Sequence, residues 1–167
     1  MPRSQTDSYA LRVYAAGLLI SIAVLVFAYY LQHYKMLDPC PWCVAQRVLF
    51  IGVGLLSLIG LLQHPGVAGA RVYGVMGALL ALSGAAAAAY QIWLQSDPMR
   101  AGSCMGGWLE HTLDYLQLGK LWPNYLQYDG PCTLPPWELL TLSIPEWSLT
   151  WFAILGAAFT TLLLRRA

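Results

Sequence analysis

Two cysteines stand three apart in Pro39-Cys40-Pro41-Trp42-Cys43, where a polar connection turns into a long apolar run. A Cys-x-x-Cys pair can close a small disulfide ring or open to a dithiol. Its second sulfur, at a helix N-terminus, feels the positive end of the peptide dipoles, which favours a thiolate. Arg47 follows four residues after Cys43, one helical turn deeper on the same face. A charge held near hydrocarbon is costly, and the plain account is that Arg47 snorkels to the headgroups. Beside Cys43 it has a functional account: it stabilises the thiolate, or an anionic reduced ligand next to it. The chemistry suggested is electron transfer through sulfur at a membrane surface.

Cys104 and Cys132 are the other two cysteines. Cys104 lies between Ala101-Gly102-Ser103 and Met105-Gly106-Gly107, an adaptable neighbourhood that leaves a sulfur accessible, and Cys132 ends the turn sequence Asp129-Gly130-Pro131-Cys132. Four cysteines in an oxidising compartment allow three pairings, of which Cys40 with Cys43 and Cys104 with Cys132 is the most parsimonious. The loop pair alone would serve as a structural staple. The Cys40–Cys43 ring closes too little chain to stabilise much, so a redox role fits it better. A four-cysteine zinc site would need a second close-spaced pair, which the chain lacks, so no metal is expected.

These residues must be positioned by membrane helices. The chain of 167 residues is 58% hydrophobic and 10% charged, with a mean hydropathy of +0.55, too apolar for a soluble domain. Its formal net charge of +1 and lack of a long basic run give no reason to expect nucleic acid. Four windows are nearly free of ionisable groups: Val13 to Leu31, Val48 to Leu62, Val72 to Leu94 and Trp147 to Leu164. A span needs about 20 residues, and the second window reaches that length by including Cys43 to Arg47. The expectation is one integral membrane domain over 1–167. It is an all-α four-transmembrane-helix bundle with helices at 13–31, 43–62, 72–94 and 147–164 and connecting loops at 32–42 and 95–146. The first span is expected to stay, since Gln32-His33-Tyr34-Lys35 after it offers no small-residue cleavage site.

Arg3, Arg12, Arg71, Arg165 and Arg166 flank one side of the spans with only Asp7 against them, and every other acidic residue falls in loops 32–42 and 95–146. By the positive-inside rule both termini are cytoplasmic and both cysteine-bearing loops face outward. Trp42, Trp93, Trp108, Trp122, Trp137, Trp147 and Trp151 all lie in or beside those outward loops, as expected for loops resting on the headgroup region. Within the long loop, Leu109, Leu113 and Leu116 suggest a short interfacial helix from Trp108 to Leu118 stopped by Gly119, and Pro136 to Leu142 suggests another. The Ala85 to Ala89 run reads as a close-packing face of the third helix.

Gln32-His33, then Pro39-Cys40-x-x-Cys43-x-x-x-Arg47 opening the second span, then a cysteine pair in the long second loop, then Trp137-Glu138-x-x-x-Leu142-x-x-Pro145-x-Trp147 before the last span resemble the DsbB family of bacterial inner-membrane disulfide bond formation proteins. The resemblance covers nearly the whole chain. It implies a multi-pass protein of the bacterial inner membrane, with periplasmic loops, that reoxidises a periplasmic DsbA-like thioredoxin-fold oxidase and passes the electrons to a membrane quinone, ubiquinone or menaquinone. By that analogy Cys104 accepts the partner's cysteine in a mixed disulfide and Cys132 is released to attack Cys40. Cys43 then becomes the thiolate that meets the quinone, with Arg47 beside it. Where family members often carry a basic side chain near the outer end of the third helix, this chain offers Gln91 as the nearest polar candidate for quinone contact. His33 and His111 could tune thiol protonation. Two other readings are a quinone or vitamin K epoxide reductase-like enzyme, which the cysteine order fits less well, and a non-catalytic membrane protein with structural disulfides.

Overall fold

The computed structural model describes residues 5–97, 99, 107–130, 132 and 138–164. Four helices in it are long and apolar enough to cross a membrane: α1 (Gln5–Tyr34), α2 (Pro41–Gln63), α3 (Val67–Gln95) and α7 (Ile144–Leu164). All four expected spans are present, each extended beyond its apolar window at one end or both. The start of α2 has a local cause. Pro41, which has no N–H to leave unpaired, takes the first turn, and Cys40 is the N-cap, its sulfur accepting from the Cys43 N–H at 3.4 Å. The Cys40 carbonyl accepts from Val44 N–H at 3.1 Å. At the other end His64 closes α2 in the left-handed region, at φ 45° and ψ 55°.

Small residues set how the helices meet. Along α3, Gly74, Gly77, Ala81 and Gly84 lie against Leu162, Phe159, Gly156 and Phe152 of α7. A Cβ at Gly84 would fall inside the Phe152 ring, so this glycine is what lets the ring sit on the α3 backbone. Phe152 is fixed from the other side by stacking on Phe50 of α2, ring centroids 4.0 Å apart. Between α1 and α2, Gly60 takes the Tyr14 ring and Gly54 faces Ser21. Ala87 and Ala88 are buried whereas Ala86 and Ala89 are exposed, so the alanine run packs through one side only. The principal core joins Tyr14, Phe50, Val53, Phe152, Leu155 and Phe159.

In the second loop the structure corrects two expectations. The helix expected over Trp108–Leu118 ends at Tyr115 (α4, Trp108–Tyr115), because Gln117 turns left-handed at φ 51°. Gly119 falls inside the next short helix, α5 (Leu118–Leu121), which is followed by α6 (Pro123–Leu126). Leu113 and Leu109 pack inward while Leu116, beyond the break, is exposed. The helix expected over Pro136–Leu142 is not formed. Pro136 and Trp137 lie outside the described residues, and Glu138–Leu139 (β1) pairs antiparallel with Leu142–Ser143 (β2). Leu140 and Thr141 both have positive φ, 52° and 68°, as a two-residue hairpin turn requires. Ser143 N–H and Oγ donate to the Glu146 carboxylate at 2.6 and 2.7 Å, tying the hairpin to the first turn of α7.

The glycine contacts differ in what they tolerate. Gly84→Ala should destabilise the protein by about 1–3 kcal/mol, since the new methyl meets a ring that cannot move away. Gly52→Ala, whose Cβ would meet Leu80 at an ordinary 3.6 Å, should be nearly neutral. Denaturant unfolding of both variants in the same detergent measures the difference.

Candidate dithiol site

Both cysteines of the motif are free thiols, with sulfurs 3.0 Å apart. The expected Cys40–Cys43 bridge is therefore absent from this structure, which holds the pair in its dithiol form with the sulfurs aimed at each other. Cys40 is buried and Cys43 partly exposed. The hydrogen bond with Cys43, and then burial, push the Cys40 thiol well above its ordinary range. The two sulfurs are inequivalent because one caps the helix from outside and the other rides in its first turn.

Gln91 of α3 reaches this pair. Its Nε2 lies 3.2 Å from the Cys43 sulfur and 3.4 Å from that of Cys40, and the residue is only 2% exposed. Gln46 of α2, equally buried, donates from its Nε2 to Gln91 Oε1 at 2.6 Å. Gln46 was not singled out from the sequence. The signal available was its position three residues after Cys43, a polar side chain on the same helical face inside an apolar run.

Arg47 is buried as well, and its donors go to neutral oxygens. One guanidinium nitrogen bonds Gln32 Oε1 at 2.6 Å and the Tyr125 carbonyl at 2.7 Å, and the other approaches the Ala28 carbonyl at 3.5 Å. The guanidinium carbon also stands 4.8 Å from the centre of the Tyr125 ring. Tyr125, carried by α6, is thus drawn between α1 and α2, where its hydroxyl donates to the Leu25 carbonyl at 2.9 Å. Burial raises the Tyr125 phenol more than Arg47 lowers it, so the hydroxyl keeps that proton. Through these bonds Arg47 fastens the second loop to the first two helices.

Cys132 is buried and disulfide-bonded. Cys104 lies outside the described residues, and so do Arg3, Arg165 and Arg166 of the charge pattern. Cys132 packs in one cluster with Cys40 and Leu94, bordered by Trp42 and Cys43. A close backbone contact sets that approach. Gly130 N–H donates to the Pro39 carbonyl at 3.2 Å, and a Cβ on Gly130 would collide with the Asp38 carbonyl. Two residues before Cys132, a missing side chain thus brings the second loop onto the first. His33 stacks on Tyr29 and His111 is exposed on α4, and among the described residues neither touches a sulfur.

Below the sulfurs lies a cavity of about 800 Å³ between the outer parts of α1, α2 and α7. Cys43, Gln46, Arg47 and Gln91 form its polar end, and Phe27, Phe50, Trp147 and Trp151 are among its apolar walls. Leu19 and Phe27 of α1 line that wall and are 66% and 38% exposed, so the cavity is open along α1 rather than sealed. Its volume and its few convergent polar groups suit a flat, mostly apolar ligand. No group of three or more metal-ligating side chains occurs among the described residues.

Gly130→Ala tests the loop contact. The added methyl must push the second loop off Asp38, so Cys132 should lose its packing against Cys40 while α1, α2, α3 and α7 stay folded. In a Cys43→Ser background, where Cys40 has no closer sulfur, the expected result is at least about tenfold slower thiol–disulfide exchange of Cys40 onto Cys132, the former partner of Cys132 leaving as a thiolate, read by non-reducing peptide mapping with unchanged helical circular dichroism.

The family model described as "Disulfide bond formation protein DsbB" matches residues 11–162. Disulfide bond formation protein B 1 of Pseudomonas aeruginosa is 39% identical over 156 residues, covering 92% of this chain and 95% of that protein. Disulfide bond formation protein B of an Azoarcus species is 41% identical over 136 residues, covering 81% and 80% respectively. That of Acinetobacter baylyi is 37% identical over 157 residues, covering 92% and 91%. A four-helix membrane bundle, a Cys-x-x-Cys at the head of its second helix and a match over most of its length place this chain in the DsbB family of disulfide bond formation proteins.

Proposed function

We propose that this protein is a membrane thiol oxidase that reoxidises a DsbA-like thioredoxin-fold dithiol protein in the periplasm and delivers the electrons to a membrane quinone. The observation that carries the reading is the cluster that Cys132 shares with Cys40 and Leu94, next to a cavity that Cys40 and Cys43 line. Both ends of a sulfur relay meet there. The reading places both termini in the cytoplasm and the bundle in the bacterial inner membrane, in line with the arginine distribution.

The chain's own residues suit each step. A thiolate of the reduced partner attacks the loop disulfide at Cys104, forming a mixed disulfide and releasing Cys132 with the electron pair. The partner's second thiolate then resolves the mixed disulfide, so the partner leaves oxidised. In the oxidised form of the motif, Cys132 attacks the Cys40 sulfur, and the Cys40–Cys43 bond breaks with its electron pair leaving on Cys43; the Cys104 thiolate then attacks Cys132, restoring the loop disulfide and releasing Cys40, so the motif holds both electrons as a dithiol. Cys43 is the better leaving sulfur because it lies in the first turn of α2, close to unpaired N–H groups, and accepts from Gln91. A quinone held in the cavity would supply a two-electron, two-proton sink. Arg47 would meet its polar edge, Phe50 and Trp151 are apolar walls for its ring, and Gln91, whose amide is taken up by Gln46 and the two sulfurs, would border it.

The direct experiment mixes the purified protein with a reduced DsbA-like partner and a soluble ubiquinone or menaquinone analogue, following partner thiols and quinone absorbance together. Equimolar loss of dithiol and quinone is expected; oxidation of neither refutes the reading. Cys132→Ala should accumulate a mixed disulfide between Cys104 and the partner, visible on a non-reducing gel, and Cys104→Ala should accumulate none. Arg47→Gln should raise the quinone KM and also slow exchange between Cys132 and Cys40, because the same guanidinium nitrogen holds Tyr125. Arg47→Lys should restore the KM in larger part than the exchange rate, since an ammonium keeps the charge but not the two-armed fork.

A further inference from the structure

Gln46 and Gln91 form a buried amide pair whose direction is set by its own hydrogen bonds. An amide side chain offers one carbonyl oxygen and one NH2 group, and which of them faces a neighbour decides whether it supports or opposes negative charge there. Gln46 Nε2 donates to Gln91 Oε1 at 2.6 Å, which occupies the oxygen and leaves the Gln91 NH2 on the opposite side. That NH2 meets the Cys43 sulfur at 3.2 Å and the Cys40 sulfur at 3.4 Å. Both glutamines are almost fully buried, at 4% and 2% exposure, so little water competes for these bonds.

We propose that Gln46 is a positioning residue: by holding Gln91 Oε1 it fixes both N–H bonds of the Gln91 amide on the motif sulfurs, and so sustains the anion left on Cys43 when Cys40 is attacked. The inference deepens the function proposed above, since it concerns the Cys43 leaving group of that relay. In the exchange, the sulfur–sulfur bond between Cys132 and Cys40 forms as that between Cys40 and Cys43 breaks, and the electron pair goes to Cys43. Hydrogen bonds to a charged acceptor are roughly twice as strong as those to a neutral one, so the amide favours the thiolate over the thiol. With Gln46 removed, the Gln91 oxygen loses its buried partner, and the amide can turn its carbonyl toward the sulfur.

The test reads Cys43 directly, with no quinone added. In the full-length protein carrying Cys40→Ser, the rate of iodoacetamide alkylation at Cys43 at pH 7 is measured by peptide mass spectrometry. Gln46→Met and Gln91→Met should each slow it by about tenfold, and the two together should be no slower than either alone, because they remove one interaction. Gln46→Glu serves as a second variant, since its carboxylate can only accept and therefore turns the Gln91 oxygen to the sulfur. It should slow alkylation at least as much, and part of that loss should persist without Gln91, because the carboxylate's own charge also opposes a thiolate. Wild-type rates in both Gln46 variants, or losses that multiply in the double variant, overturn the inference. Failure of the parent reading would show elsewhere, as an unmutated protein that couples no thiol oxidation to quinone reduction.

Discussion

A guanidinium buried where a membrane bundle meets its two cysteine-bearing loops must be satisfied, or the state that buries it is not populated. A bare charge in such a place is destabilising by several kcal/mol, and pairing it with a carboxylate would cancel its field at the sulfurs. Arg47 is satisfied by neutral oxygens instead, from Gln32, the Tyr125 backbone and the Ala28 backbone. Those partners come from the end of α1 and from α6, so solvating one charge draws three parts of the chain together. The Tyr125 ring then fills the space between α1 and α2, beside Leu113, Leu126 and Val44, and gives the second loop an apolar anchor of its own. A loop anchored in this way can hold Cys132 against Cys40.

The same arrangement keeps the positive charge available. Because its partners are dipoles rather than anions, Arg47 retains a net charge at the polar end of the cavity it lines. A developing anion there, on sulfur or on a reduced ligand, would be attracted without breaking an existing ion pair. Arg47 thus has a mechanical part, shown by its bonds to Gln32, Ala28 and Tyr125, that its spacing from Cys43 did not suggest, beside the electrostatic part proposed from that spacing.

Much of this was legible in the residues, and the illegible part has physical reasons. Spans can be read from hydropathy because a bilayer imposes length and apolarity on every one of them. The relation of Cys40 to Cys43 and Arg47 can be read because helical periodicity fixes which side chains share a face. The partner of Arg47 could not be read: Tyr125 lies 78 residues away and contributes a backbone carbonyl, a group every residue has. The break at Gln117 and the hairpin at Leu140–Thr141 depend on left-handed backbone at residues that seldom adopt it, so composition favoured helix in both places. Gly130 was legible as part of a turn but not as a contact, because what its missing side chain admits is the backbone of another loop.

Gln46 marks the boundary between the two kinds of knowledge. Its position on the cysteine face of α2 follows from spacing alone, but its effect depends on Gln91, 45 residues away on another helix. Neither amide carries charge, so their combined influence lies entirely in orientation. Orientation is cheap to maintain in this setting: the bundle interior excludes water, and an amide that turned would expose its oxygen to sulfur and lose its only described acceptor bond. Arg47 supplies a field that reaches every anion near it, whereas the amide pair addresses the two motif sulfurs alone. In the relay proposed here, where negative charge would be left on Cys43 rather than on Cys132, the second kind of group adds to the first, because short, directed hydrogen bonds distinguish sulfurs that share one cluster.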